Sequence, residues 1–276
     1  MRWVAEGHSS RFTLSTADGL NNLLAAMISF RDPLLKEGGD SAAGEDEHGS
    51  AFERISAFQF GFTDGASSCA SIDPAEIKQR RGDLPVLLPE DQSGELQITE
   101  ASVRSIVDAM GILFAPKNPP PADLRPARVC RCPFRRGRDL LSGEQHHLGG
   151  SAALEAMGAQ SEAEPGTGLT TGDNTAYSVL VSRYMQAIQH ERGGLALDSA
   201  KAALRTACLT GVATVKMTHA VNTPPDGNTI QLTAGDVDEA ISGILSNGLV
   251  ASDVNGGVRT VGLLAYRRLP GRCAGR

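Results

Sequence analysis

Apolar residues recur at helical spacing in several separate stretches of the chain, which predicts a mainly α-helical protein. The clearest pattern lies in residues 49–65, where Phe52, Ile55, Phe58 and Phe62 share one face of an amphipathic helix. Gly61 and Gly65 indicate a helix end or a close backbone approach there. Other apolar faces predict helices over residues 18–32, 100–113, 174–192, 200–217 and 237–245, and a turn or short helix over 75–80.

Helix starts and stops in the second half are marked by capping residues. Asp173 or Asn174 is the predicted N-cap of the helix that Gly193 ends, and Gly235 with Asp236 leads into the last helix. Residues 224–227 read Pro-Pro-Asp-Gly, which predicts a turn. Residues 37–49 are rich in Gly, Ser and acidic residues and are typical of a mobile loop.

Two stretches show neither helical nor strand periodicity, and both are rich in arginine. We therefore predict two ordered regions, 1–118 and 171–256, joined by an irregular linker over 119–170 and followed by an irregular tail over 257–276. A shifted reading frame in GC-rich coding DNA would give the same aperiodic composition, and it is the alternative for 125–152 and for the tail. Sequencing of the locus distinguishes the two interpretations.

Composition narrows the class of protein. The chain has 276 residues and a formal net charge of −6, which argues against a nucleic-acid partner. The arginine cluster could bind phosphate, but interleaved aromatic residues are missing. We find neither a transmembrane segment nor a signal peptide in the sequence, so we expect a cytoplasmic location if the chain is expressed as written. Its five cysteines form no recognisable disulfide framework.

The aromatic segment also carries a family resemblance. The pattern consists of these residues in order: Phe52, Arg54, Phe58, Gly61, Phe62, Gly65 and Cys69. It resembles the closing motif of the neutral zinc metallopeptidases, and the nearest subgroup is the actinobacterial lipoprotein peptidases. The resemblance covers about residues 1–118 and, more weakly, 154–256. It implies two helical zincin-like lobes, of which the first is incomplete because residues 1–7 match the interior of the family's domain. A chain that begins in the middle of a larger gene product would explain this match.

The second region resembles a diverged copy of the same domain. Residues 14–20 align with 232–238, and each stretch opens an apolar helix. Residues 179–189 resemble the family's zinc-binding helix, and under that alignment Ser182, Arg183 and Gln186 replace the first His, the catalytic Glu and the second His. The family's later acidic positions fall at Ala203 and Ala207.

A zincin binds its metal through His-Glu-x-x-His, in which the Glu acts as general base, and this motif is absent from the chain. The resemblance implies zinc in the family, whereas we expect no cofactor here because Ser, Arg and Gln cannot replace those ligands. The pair His190-Glu191 has no second histidine after it. Cys130 and Cys132, with His146-His147 downstream, are spaced too tightly for a usual zinc knuckle.

We therefore expect a peptidase-family protein that is catalytically inactive as written. The alternative is a non-catalytic module of the cell envelope that binds a peptide or a protein. Under the resemblance, Cys69 and Cys208 match family cysteines. They would form disulfides in an exported, lipid-anchored parent, whereas in a cytoplasmic fragment they would be buried thiols, the interpretation that we favour.

Overall fold

The computed structural model describes residues 8, 19–32, 34–36, 49–120, 150–159, 169–224 and 227–255. Within these ranges the protein is mainly helical, as the apolar periodicity predicts. The helices are α1 (Gly19–Ile28), α2 (Ala51–Asp64), α3 (Ala66–Cys69), α4 (Pro74–Arg81), α5 (Glu100–Phe114), α6 (Gly150–Met157), α7 (Asp173–Arg192), α8 (Ala200–Lys216) and α9 (Asp236–Ser246). None of these described helices combines the length and the apolar character that a membrane span requires.

Four short strands, which the sequence pattern does not predict, complete the described structure. Strands β1 (Leu35–Lys36) and β2 (Leu87–Leu88) pair in parallel, and β3 (Val221–Thr223) and β4 (Asn228–Ile230) form an antiparallel hairpin. They were missed because two or three residues are too few to show an alternating pattern. A 3₁₀ turn over Leu249–Ala251 follows α9.

Helix α2 contains the aromatic segment and begins as a capping box. The Ser50 N–H donates to Glu53 Oε2 at 2.9 Å, and the Glu53 N–H donates back to Ser50 Oγ at 3.3 Å, so two otherwise unpaired donors are satisfied. Phe52 is buried. The rings of Phe58 and Phe62 stack with their centroids 5.7 Å apart and pack on the same apolar cluster. The predicted core face is thus confirmed.

Two glycines near the end of α2 have structural reasons. A Cβ atom on Gly61 would lie 2.9 Å from Cys69 Sγ, and Gly65 ends the helix with φ of +91°, a value that disfavours other residues. Arg54 is half-buried on the same helix. Cys69 is an exposed free thiol, because it ends the surface helix α3, whereas Cys208 is buried and disulfide-bonded. The prediction of two buried thiols is therefore wrong.

The region predicted to be an irregular linker, 119–170, contains helix α6. Leu154 on this helix is buried in the main core, and Met157 packs against it one turn later. Eight residues with two inward positions are too short for a clear periodicity, which is why the prediction was wrong there. Most of the linker lies outside the described residues. The same holds for residues 125–149 of the reading-frame hypothesis and for the tail from 256 onward.

The two predicted ordered regions share their apolar cores. One cluster joins α5, α6, α7, α8 and the β3–β4 hairpin; it includes Val103, Met110, Leu154, Tyr177, Leu180, Tyr184, Met217 and Ile230. A second joins α1 and α2 to α9 through Leu24, Ile28, Phe52, Ile55, Ile241 and Leu245. Asp238 on α9 also accepts hydrogen bonds from the N–H groups of Ala51 and Phe52 at 3.0 and 3.2 Å. Residues from both regions therefore meet at the start of α9.

Helix α7 begins at Asp173. An Asp173 cap would have started it at residue 174, and an Asn174 cap at residue 175. Gly172 is its N-cap, and the Gly172 N–H donates to Thr175 Oγ1 at 3.3 Å. The prediction of Asp173 or Asn174 as N-cap is wrong, because the first N–H groups of the helix are bonded to Glu95 and Glu239 from other segments and need no local capping side chain. Asp173 is consequently the first helical residue, and its carboxylate is free to face another segment.

Candidate functional site

The positions that the resemblance aligned with zinc ligands lie in the middle of α7. Ser182, Arg183 and Gln186 are all buried, with exposed fractions of 0%, 3% and 1%. Arg183 Nη1 donates to Ser252 Oγ at 2.6 Å, and Gln186 Nε2 donates to the Ser252 carbonyl oxygen at 2.7 Å. Ser182 Oγ donates to the Val179 carbonyl oxygen of its own helix at 2.6 Å. Arg183 and Gln186 thus meet at one residue of the chain that follows α9.

The Arg183 guanidinium is a buried cation. Burial lowers its pKa to about 10, and the nearby Asp253 carboxylate acts in the opposite direction by favouring the charged form. Arg183 therefore stays protonated at neutral pH, and Asp253, which is itself buried, balances its charge. The space beside α7 at this point is filled by a cation with polar partners.

A different group of polar side chains gathers where α7 and α9 begin. Glu95 lies in the loop between β2 and α5, Asp173 is the first residue of α7, and Glu239 lies in the first turn of α9. One carboxylate oxygen from each of these three residues lies within 4.8 Å of the others. Asp236, the first residue of α9, is a fourth carboxyl beside them and is buried like Asp173 and Glu239. We call Glu95, Asp173, Asp236 and Glu239 the acidic cluster.

Backbone N–H groups hold the acidic cluster in place. The Asn174 N–H donates to Glu239 Oε2 at 2.9 Å, and the Thr233 N–H donates to Asp236 Oδ2 at 2.6 Å. The Leu96 N–H donates to Asp173 Oδ2, which fastens the loop to the start of α7. The N-termini of two helices favour negative charge at these positions, since their first N–H groups are not used within the helix.

One oxygen of the cluster is left over. Asp173 Oδ1 is buried and has no hydrogen-bond partner among the described residues, although Oδ2 of the same carboxylate is bonded to Leu96. Most buried polar atoms in proteins have a partner, so an orphaned carboxylate oxygen indicates a place for a ligand, an ion or a water molecule.

The carboxyls of the cluster raise one another's pKa. Burial raises the pKa of Asp236 to about 8, and the Asp173 carboxylate adds to this effect. Burial likewise raises the pKa of Asp173 and of Glu239, and in both cases the Glu95 carboxylate contributes in the same direction. The charged forms are disfavoured because these groups lie close together away from water. The cluster therefore attracts protons or other cations.

A cavity of about 360 Å³ opens beside the cluster. Its walls are largely apolar and include Ile106, Tyr177, Val181, Met217, Ile230 and Leu232, whereas Glu95, Asp173, Thr233 and Asp236 line its polar side. The Tyr177 hydroxyl donates to Ser102 Oγ at 2.7 Å, and burial raises its pKa to about 12, so it stays a neutral phenol. The cavity can take an apolar body that ends in a cationic group.

Sequence reasoning did not find this site. Asp173 and Asp236 were interpreted only in relation to helix starts, and Glu95 and Glu239 carried no recognisable motif. The available signal was that two buried helices each begin with an acidic residue, which would have identified Asp173 and Asp236 but not Glu95.

Comparisons with known proteins give no match for this chain, whether to a protein-family model, to a curated protein or to a solved structure. The resemblance to zinc metallopeptidases therefore stays a prediction.

Proposed function

We propose that this chain is a non-catalytic peptide-binding module, and that its acidic cavity holds a basic group of the peptide. The observation that carries the proposal is the combination of apolar walls with the carboxyls of Glu95, Asp173 and Asp236 in one cavity. Apolar pockets with a few converging polar groups are the usual form of ligand sites. This function corresponds to the second of the two interpretations drawn from the sequence.

The size and the charge of the cavity favour a lysine side chain as the bound group. Its volume, about 360 Å³, is near the lower end of ligand pockets, which suits one side chain better than a large cofactor. A lysine stem would lie along the apolar walls formed by residues such as Ile106 and Leu232, while its ammonium group would reach the carboxylates. Each hydrogen bond to a charged group of this kind strengthens binding by about 1.5–3 kcal/mol.

The first interpretation, an inactive relative of zinc peptidases, is retained as part of the proposal. Its support is the environment of Arg183, a buried cation at the position aligned with the catalytic Glu. A zinc ion at that position would be repelled by the guanidinium, and the neutral Ser182 and Gln186 offer no imidazole ligand. On this proposal the module recognises peptides and leaves them intact.

Binding to matched peptide pools tests the proposal. One pool of random hexapeptides has a fixed central lysine, and the other has norleucine, its uncharged near-isostere, at the same position. Isothermal titration calorimetry is expected to give at least about tenfold tighter binding for the lysine pool, since only lysine can pair with the carboxylates. Mass spectrometry of the recovered peptides is expected to show no cleavage.

Two variants provide the controls. Asp236→Asn removes a carboxyl that would ionise beside a bound ammonium group, so it is expected to weaken the binding of the lysine pool. Asp198→Asn, at an exposed position on another loop, is expected to bind like the unchanged protein. Equal binding of the two pools would contradict the proposed cationic ligand, and cleavage of the peptides would contradict the non-catalytic part.

A further inference from the structure

We propose that Glu95, Asp173 and Glu239 bind one calcium ion, which fastens the loop before α5 to the first turns of α7 and α9. This inference goes beyond the proposed peptide binding. It concerns a metal site that shares Glu95 and Asp173 with the cavity and adds Glu239, a residue that does not line it.

The spacing of the three carboxylates fits one ion. Calcium binds oxygen ligands at about 2.3–2.6 Å, so two ligand atoms on one ion lie at most about 5 Å apart. The oxygens of Glu95, Asp173 and Glu239 all lie within 4.8 Å of one another, which satisfies this limit without movement of the backbone.

The unpartnered oxygen of Asp173 is the second, independent indication of a ligand. Asp173 is only 5% exposed, its Oδ2 accepts from the Leu96 N–H, and apart from a proton shared with the Glu239 carboxyl its Oδ1 has no hydrogen-bond partner among the described residues. An acceptor that has been removed from water without a partner costs free energy, and a bound cation would remove that cost. Acidic side chains on a surface do not have this property, because water solvates them.

Side-chain packing also keeps Glu239 at the site. Gly172 leaves no room for even a methyl group, since a Cβ atom there would overlap the Glu239 carboxylate. The same carboxylate accepts from the Asn174 N–H at 2.9 Å, so it is held against the start of α7. Glu95 on the loop accepts from the Asp173 N–H at 3.3 Å, so all three proposed ligands are in place before any ion binds.

The ligand set favours calcium among common cations. All three ligands are carboxylate oxygens, which suit hard cations, whereas zinc is more often bound through nitrogen or sulfur. Magnesium demands an octahedral shell of short bonds and retains its water, so ligands drawn from three separate segments suit the more flexible calcium shell better. Four carboxylates with one dication still leave two negative charges when all are ionised, enough for a cationic ligand in the neighbouring cavity.

Calorimetric titration of the full chain with calcium chloride, after treatment with a chelator, tests the proposal without any peptide present. We expect one ion per chain and weaker binding of magnesium. In the Glu95→Gln variant, the affinity for calcium is expected to fall by more than about tenfold, because one ligand charge is lost. Glu95 is partly exposed and lies in a loop, so this variant is expected to fold.

Glu155→Gln is the matched control. Glu155 is exposed and shares a neighbouring surface hollow with Glu95 and Asp173, but it is not one of the three clustered carboxylates. The Glu155→Gln variant removes one negative charge near the site, as Glu95→Gln does, and is expected to bind calcium almost like the unchanged protein. An equal loss in both variants would reveal only a general electrostatic attraction and would overturn the site, as would the absence of calcium binding at millimolar concentration.

Luminescence of terbium, a substitute for calcium, gives a second readout. The Tyr177 hydroxyl lies within hydrogen-bonding distance of the carbonyl oxygens of Leu96 and Gln97, next to Glu95, so excitation of tyrosine is expected to sensitise a bound terbium ion. Calcium should quench this signal by competition. A signal that persists in Glu95→Gln at the same terbium concentration would contradict the assignment. Failure of peptide binding would leave both metal experiments unaffected.

Discussion

Helix α7 carries a buried charge in its middle and another at its first residue, and the two have opposite surroundings. Arg183 has the Ser252 hydroxyl, the Leu249 carbonyl oxygen and the Asp253 carboxylate around it, so its charge is balanced within the protein. Each of the two side chains keeps one atom without a hydrogen-bond partner among the described residues, Arg183 Nε and Asp173 Oδ1, but Asp173 faces other carboxyls in place of a counter-ion. Removing one partner of a balanced buried pair destabilises a fold, whereas an unbalanced buried charge indicates a place where something binds.

The largest predicted effect is at the balanced charge. Arg183→Met keeps most of the side-chain volume but leaves Asp253 buried without its cation, and we expect the free energy of unfolding to fall by about 3–5 kcal/mol. Urea denaturation followed by circular dichroism measures this change.

Arg104→Met is the control for that variant. The Arg104 guanidinium pairs with Glu100 at 2.8 Å on an exposed face of α5, where the loss of an ion pair changes stability by at most about 1 kcal/mol. If Arg183→Met were no more destabilising than Arg104→Met, the claim that the fold depends on the buried Arg183 charge would be wrong.

The second predicted effect is a fall in stability as the pH rises, in the absence of divalent cations. The folded-state pKa of Asp236, about 8, lies above its ordinary value of 3.8, so the folded protein keeps this proton more tightly than the unfolded chain does. The resulting stabilisation is complete below the ordinary pKa and is lost as the pH rises through the folded-state pKa. We expect the free energy of unfolding to decrease by roughly 3 kcal/mol or more between about pH 4 and pH 9.

Denaturation with urea at several pH values, in the presence of EDTA, measures this slope. Asp236→Asn cannot ionise but keeps an oxygen for the Thr233 N–H, so its stability is expected to depend less on pH. Asp198→Asn, at an exposed position, should keep the full slope. A full slope in Asp236→Asn would show that the pH dependence arises elsewhere in the protein.

A smaller effect is expected from crowding at the acidic cluster. Gly172→Ala places a methyl group on the Glu239 carboxylate, which the Asn174 N–H holds in place, and we expect a loss of about 1–3 kcal/mol together with weaker calcium binding. Gly111→Ala is the control, because its Cβ atom would lie 3.7 Å from Tyr184 Oη, an ordinary contact, and alanine favours a helix. A Gly172→Ala protein with unchanged stability and calcium affinity would argue against a tightly held Glu239.

The sequence predicts the helices well where local signals are complete. The structure shows caps at Ser50 with Glu53, at Thr99 and at Ser199, and all lie within three residues of their partners, so these local signals support helices that the apolar faces already predict. The same holds for Gly65 and Gly193, whose positive φ angles end their helices. Helix α6 was missed because eight residues carry too little periodic information.

The acidic cluster depends on contacts that no local pattern records. Glu95 and Asp173 are 78 residues apart, and Asn174 and Glu239 are 65 apart, yet both pairs are joined by hydrogen bonds. Their approach follows from the packing of α7 against α5 and α9, which is set by the shared apolar cores. The helical spacing of apolar residues predicts that each helix has an inward face, but it does not predict which helices pack against each other.

The most direct test of the contrast along α7 is the effect of calcium on stability, measured by urea denaturation of the unchanged protein and of Glu95→Gln. At a calcium concentration 100-fold above the dissociation constant, the unchanged protein is expected to gain about 2.7 kcal/mol in free energy of unfolding. Glu95→Gln should gain much less, and Arg104→Met, which leaves the cluster intact, should gain as much as the unchanged protein. Equal gains in Glu95→Gln and the unchanged protein, or no gain in either, would contradict a cation site at the start of α7.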